Sequence, residues 1–154
     1  MNEETKRNAA IISEGTLIFT DEFTEITGDA NIKEMIFEGS VKIFGNVHAD
    51  KIKVSGQIEV TGELEAYEVD AGGEITVRKS AKVSDICGAS IYVKENLKSD
   101  VEIEAAILMV GGNLDASVVS LGDDKDEKIE DVLLVDGETN IKEALYINEK
   151  QVMF

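Results

Sequence analysis

One histidine, one cysteine and one dense acidic run carry most of the reactive potential of this 154-residue chain. His48 lies between Val47 and Ala49 with charged residues nearby. A lone histidine has no partners for a zinc site. As a general base it would need a nucleophile within hydrogen-bond reach. Cys87 stands in Ile86-Cys87-Gly88, with no basic or histidine neighbour to lower its pKa. It reads as a small structural residue near a turn. The run Gly122 to Asp131 offers the carboxylates of Asp123, Asp124, Asp126 and Glu127, the type of ligand calcium takes. The run lacks the D-x-[DN]-x-[DN]-G spacing of a calcium loop, and Lys125 and Lys128 interrupt it. It is expected to be a solvated loop. No catalytic, cofactor-binding or metal site is predicted.

Bulk properties narrow the partners. The formal charge is −17, from 15 basic and 32 acidic residues. Such a surface repels phosphate backbones and anionic membrane faces, so no nucleic-acid partner is expected. It leaves membrane association open and suits a basic protein partner. A single cysteine permits no internal disulfide, which fits a reducing cytoplasm. No secretory signal and no apolar run of membrane-spanning length is present. A cytoplasmic location is expected. Proline is absent, as suits a chain spent mostly in hydrogen-bonded strands.

What must position these residues is a repeat. Gly28, Gly45 and Gly62 recur every 17 residues, and Gly39, Gly56 and Gly73 keep the same interval. Within each unit apolar residues come in pairs spaced by two. Gly45 is followed by Val47 and Ala49, then Ile52 and Val54, then Ile58 and Val60. This spacing predicts three short strands per unit, each with one buried face. Glycines between the pairs mark turns, where positive φ is expected. Three faces per coil, stacked coil on coil, predict an all-β, single-stranded parallel β-solenoid of triangular section. About eight coils of about 17 residues are expected. Residues 1–14 read as a flexible tail, and 15–154 as the solenoid domain with an acidic insertion at 122–131.

Beyond Gly73 the period continues with slips. Lys79 opens a coil with Ala81, Val83 and Ile86, and Ile91 and Val93 supply its third pair. Glu95 opens the next, with Leu97 and Ser99, Val101 and Ile103, then Ile107 and Met109 expected inside. Gly112 leads to Leu114, Ala116 and Val118. Buried Ser99 and Ser120 would each need a hydrogen-bond partner. After the insertion, Val132 and Leu134 resume the pattern. Gly137-Glu138-Thr139-Asn140-Ile141-Lys142-Glu143 then repeats the Asn-Ile-Lys-Glu of the Gly28 coil.

Coils of the form G-N-V-x-A-x-x-I-x-V-x-G-x-I-x-V-x, standing at Gly45 to Thr61 with related versions at Gly28 to Phe44 and Gly62 to Arg78, resemble bactofilins, the bacterial polymer-forming cytoskeletal proteins. The resemblance covers about residues 24–121. It implies a right-handed β-helix, end-to-end assembly without nucleotide or other cofactor, and a scaffold role at the inner face of the envelope.

In a solenoid the ends carry the functional signal, because an uncapped end exposes backbone and core. Candidate self-association residues are Leu17, Phe19 and Phe23 on the N-terminal side. On the C-terminal side they are Leu145, Tyr146, Ile147, Val152, Met153 and Phe154. The leading expectation is a non-enzymatic scaffold that associates with itself. Two alternatives stand beside it. One is a monomeric or dimeric adaptor that binds a basic protein through its acidic face or loop. The other is a polysaccharide-acting β-helix enzyme, which would need acids and arginine converging in one groove; the only arginines are Arg7 and Arg78.

Overall fold

A computed structural model of the chain describes residues 4–7, 11–122 and 128–152. The strands run, in order, β1 (Glu4–Arg7), β2 (Ile11–Phe19), β3 (Phe23–Thr27), β4 (Ala30–Phe37), β5 (Ser40–Phe44), β6 (Val47–Val54), β7 (Ile58–Val60), β8 (Leu64–Ala71) and β9 (Glu74–Val77). There follow β10 (Ala81–Cys87), β11 (Ser90–Val93), β12 (Leu97–Ala105), β13 (Ile107–Val110) and β14 (Leu114–Leu121). One helical turn, α1 (Ile129–Val132), precedes β15 (Leu133–Val135), β16 (Thr139–Ile147) and β17 (Lys150–Gln151). The odd-numbered strands to β15 stack as an eight-stranded sheet. The even-numbered strands, with β17 at one edge, form a nine-stranded sheet. Every pairing is parallel except β16 with β17. The chain is thus a parallel β-solenoid with coils of about 17 residues. About six turns close fully. The expected eight also counts the incomplete terminal levels and the coil opened by the insertion.

The two expected strands on the first and second faces are one continuous strand. In β4, Ala30 and Ile32 point inward, then Met35 and Phe37. The three-residue step from Ile32 to Met35 puts Lys33 and Glu34 both outside. The strand bends there and turns its second half onto another face. β6 and β8 repeat the same pattern. The inward residues stack into columns such as Met35, Ile52, Val69, Ile86, Ile103, Val119 and Leu145. Each is buried. Complete burial of an aliphatic side chain contributes about 1.5–3 kcal/mol, so the columns are the main source of cohesion between coils.

Strands are found within residues 1–14. β1 pairs with β3, and β2 begins at Ile11 and pairs with β4. Register differs from expectation in the later coils as well. β12 holds an extra residue against both neighbours, a bulge between Ser99 and Glu102. Val101 is therefore expelled and 54% exposed, while Ile103 and Ala105 face inward. On the third face Leu108 and Val110 are buried, and Met109 is 39% exposed. In β14 the inward pair is Val119 and Leu121. In β15, Leu133 and Val135 pack on the core while Leu134 points out. A single extra residue reverses inside and outside in a strand, because the side-chain period is two. Ser99 is buried and donates to Ser84 O at 2.9 Å. Ser120 is only half-buried and donates to Glu102 Oε2 at 3.0 Å.

The corner glycines do something other than supply positive φ. Among the described glycines only Gly28 and Gly122 have positive φ. At most of the others, Gly39, Gly45, Gly62, Gly72, Gly111, Gly112 and Gly137 among them, a Cβ would run into the backbone of the coil before. Asn46 Oδ1 accepts the backbone N–H of Glu63 in the coil above, at 2.9 Å. Asp29, Ser80, Asn96 and Asn113 do the same for Asn46, Asn96, Asn113 and Glu138. A Cβ on Gly62 would meet Asn46 Oδ1 and would lie 2.5 Å from Gly45 O. Gly45, Gly112 and Gly137 are crowded in the same way by Asp29, Asn96 and Asn113. Where the preceding coil offers Glu63 or the shorter Ser80, the next corner carries Lys79 or Glu95 instead. Gly62→Ala is therefore expected to cost about 1–3 kcal/mol by forced overpacking. Lys79→Ala, at the equivalent corner, is expected to stay within about 0.5 kcal/mol. Urea unfolding of the two variants measures the contrast.

Candidate functional site

The rod ends are built differently from one another. At the N-terminal end β2 is the last strand of its sheet and, among the described residues, pairs only with β4. Leu17 packs partly buried against the core. Phe19 is buried and stacks on Phe37, with ring centroids 4.7 Å apart and planes 11° from parallel. Ile18 between them points outward and is 60% exposed. Phe23 lies one strand in from the edge, because β1 pairs outside β3, and it is half-buried.

At the C-terminal end the chain folds back on itself. Leu145 and Ile147 are buried and Tyr146 is half-exposed. Asn148 and Glu149 then both adopt positive φ, 54° and 68°. Two such residues make the tight turn that matches strand twist in a two-residue hairpin. Tyr146 and Ile147 pair with Gln151 and Lys150, and the Val152 N–H donates to Leu145 O at 2.7 Å. Val152 packs on the core. This hairpin, which sequence reasoning missed, covers the outer edge of only the last part of β16. Its signal was Asn148, a residue that tolerates positive φ, between two short alternating segments. Met153 and Phe154 lie outside the described residues, as do Asp123, Asp124, Asp126 and Glu127 of the acidic run.

The long sides carry charge in rows, because register places like offsets one above another. Glu68, Asp70, Asp85, Glu102 and Glu104 share one outer face over three successive coils. Burial raises the Asp85 pKa above the usual carboxylate range, and Glu102, Glu68 and Asp70 push it further. Cys87 is half-buried in the same face, between Asp70 and Glu104 in register. Burial raises its thiol pKa too, with Glu104 the first of the carboxylates that add to it. The site therefore disfavours a thiolate nucleophile. His48 is exposed on another row, between Asn31 and Glu65. The structure brings His48 and Cys87 to different faces. Among the described residues no group of three or more His, Cys, Asp or Glu side chains converges as a metal site. No described helix is long and apolar enough to cross a membrane.

A groove of about 720 Å³ runs beside the corner that carries the amide ladder, past Asn46, His48, Lys82, Asn96 and Lys98. Its floor is the buried first column of the core, so it is shallow and polar at the rim. What these surfaces offer is contact along a rod and at its ends, and the class they define is a rigid β-solenoid module. A family profile, the Flagellar Assembly Protein A beta solenoid domain, matches residues 25–128. That is more than half of the chain, and the chain belongs to this family. The match carries the β-solenoid family reading without singling out the bactofilins that the coil pattern resembles. No curated protein and no solved structure matches the chain.

Asp85 also makes a linkage prediction. Its folded pKa is raised, so the charged form is destabilising in the fold at neutral pH, and that penalty is relieved as pH falls through the raised value. Asp85→Asn is expected to increase stability at neutral pH, and the gain should vanish in acid where both side chains are neutral. Denaturant midpoints across this range test the sign. In the same way Glu104→Gln should speed alkylation of Cys87 several-fold at fixed pH, by lowering the thiol pKa.

Proposed function

We propose that the chain is a non-enzymatic structural scaffold whose solenoid associates end to end through its terminal coils, in the manner of the polymer-forming proteins its repeat resembles. The observation that carries this reading is the N-terminal edge of the parallel sheet, where β2 has a strand on one side only among the described residues. A terminal strand of a sheet is where another strand of matching register can be added. The repeat supplies that register, since another coil of the same sequence pattern can continue every column. The outer edge of β15 is likewise without a further strand among the described residues. The β16–β17 hairpin covers part of the same end, which favours short assemblies over long ones. Membership of a family named for flagellar assembly supports a structural task within a larger assembly. A lone thiol suits a cytoplasmic setting, and a place at the inner face of the envelope is part of this proposal.

Repulsion between copies of charge −17 opposes association and is screened by salt. Electron microscopy and light scattering of the purified protein should show particles that lengthen as salt rises. Leu17→Glu, at the edge strand, should shorten them without unfolding the rod. Monomers alone, at high concentration and at both low and moderate salt, would overturn the reading.

A further inference from the structure

The outer face of the eight-stranded sheet changes character along the rod. One outward row follows the register from coil to coil, through Glu25, Lys42 and Glu59 to Thr76, Tyr92, Met109 and Leu134. Its first three members are charged, and Lys42 pairs with Glu59 at 3.7 Å. From Thr76 onward the row carries no charge. Tyr92 is half-buried, and Met109 and Leu134 are 39% and 45% exposed. Half-buried Ile107 lies beside Met109 on the same face. The core does not require this stripe. Ile91 and Val93, then Leu108 and Val110, fill the inner columns from the same strands. Apolar side chains exposed in contiguous register mark a contact surface.

A second outward row borders the stripe. Arg78, Lys94, Gly111 and Asp136 each follow a strand of this sheet, and each donates its N–H to the coil before. All four are exposed. Charge along this border changes sign, from Arg78 and Lys94 beside one end of the stripe to Asp136 beside the other. Arg78 is held by Glu59 at 3.1 Å, with half of its side chain still exposed. Asp136 stands outside the ion pairs of the described residues.

Such a surface is complementary to itself turned end for end. A half-turn about an axis along the strands, passing between Tyr92 and Met109, lays the stripe on its own copy. Tyr92 then meets Met109, Thr76 meets Leu134, Lys94 meets Gly111, and Arg78 meets Asp136. Glu25, Lys42 and Glu59 fall beyond the overlap. Copies laid in the same direction would instead set Arg78 near Glu74, but also Glu59 on Glu59 and Lys42 on Lys42. Like charges so placed disfavour that arrangement.

We propose that two copies of the chain pair side by side and antiparallel through this face, as an isologous two-fold dimer. The contact spans four coils, about 15 Å at the strand spacing. That is small for a permanent interface, so the dimer is weak and forms at high concentration. Its centre is apolar, and salt that screens the −17 charge of each copy favours it, in the same sense as end-to-end contact. This inference does not rest on the end-to-end reading.

Sedimentation velocity over a concentration series at moderate salt provides the test, on the wild type and on Leu17→Glu, the variant that weakens end contact. Leu17→Glu should still form dimers. Adding Met109→Glu should weaken them about tenfold or more. Arg78→Asp alone and Asp136→Arg alone should each weaken them several-fold. The two together in one chain should recover dimerisation, because these positions meet across the two-fold axis. Circular dichroism should show every variant folded. Monomers of Leu17→Glu at every concentration would overturn the proposal and leave the stripe to a partner of another sequence. Dimers indifferent to Met109→Glu or to Asp136→Arg would overturn it too, as would a combined variant that fails to recover. Wild-type particles that stop at dimers would count against the end-to-end reading alone. Long wild-type particles that Leu17→Glu reduces to monomers would count against lateral pairing alone.

Discussion

Each coil of this protein must return to a point directly above the one before it, at the spacing of paired strands. That constraint is hardest to meet at the corner, where two successive backbones approach without a regular ladder between them. The chain meets it with a short polar side chain on one coil and a glycine on the next. Asn46 satisfies the N–H of Glu63, and Gly62 leaves the room for it to do so. The pair is a unit: where Glu63 replaces the amide, Lys79 replaces the glycine. Regular stacking of the buried columns follows from this, since a coil displaced at its corner would misplace all of its inward side chains.

A solid core of stacked columns has a functional consequence. Its interior holds no polar cluster; the described residues bury only two polar side chains, Thr24 and Ser99. Chemistry is left to the outside, where register turns single side chains into rows. Burial raises the pKa values of Asp85 and Cys87, and repulsion from the neighbouring carboxylates of the row adds to it. Such a surface is suited to contact with other macromolecules over several coils, and poorly suited to gathering three or four groups on one small substrate.

The two ends differ because stacking stops differently at each. Phe19 over Phe37 closes one core column at the N-terminal side, where β2 pairs with β4 alone among the described residues. At the other end two residues at positive φ reverse the chain, and β17 occupies part of the edge that a further coil would use. A left-handed conformation at Glu149, a residue that favours it little, costs about 1 kcal/mol. The pairing of β17 and the packing of Val152 offset that cost.

The 17-residue period, the parallel solenoid and the position of Gly137 as a coil start were all readable in the sequence, because column contacts demand side chains of one kind at fixed intervals. Outward placement of His48 followed from the same period. Other features depended on contacts between coils. Two strands fused into one across a bend, since alternation constrains which side chains are inside and not where the backbone curves. The bulge at Asp100 and Val101 moved the inward pair from Val101 and Ile103 to Ile103 and Ala105, and the next from Ile107 and Met109 to Leu108 and Val110, because both phases of that apolar stretch offer buriable residues and only the neighbouring strands choose between them. The need for glycine at the corners also lay outside the local sequence, as it arises from a side chain 16 residues earlier. Sequence by itself determined the period and the columns, which are properties of one coil repeated. Tertiary structure decided the phase, the ends and which outer side chains stack into rows, which are properties of how one coil lies on another.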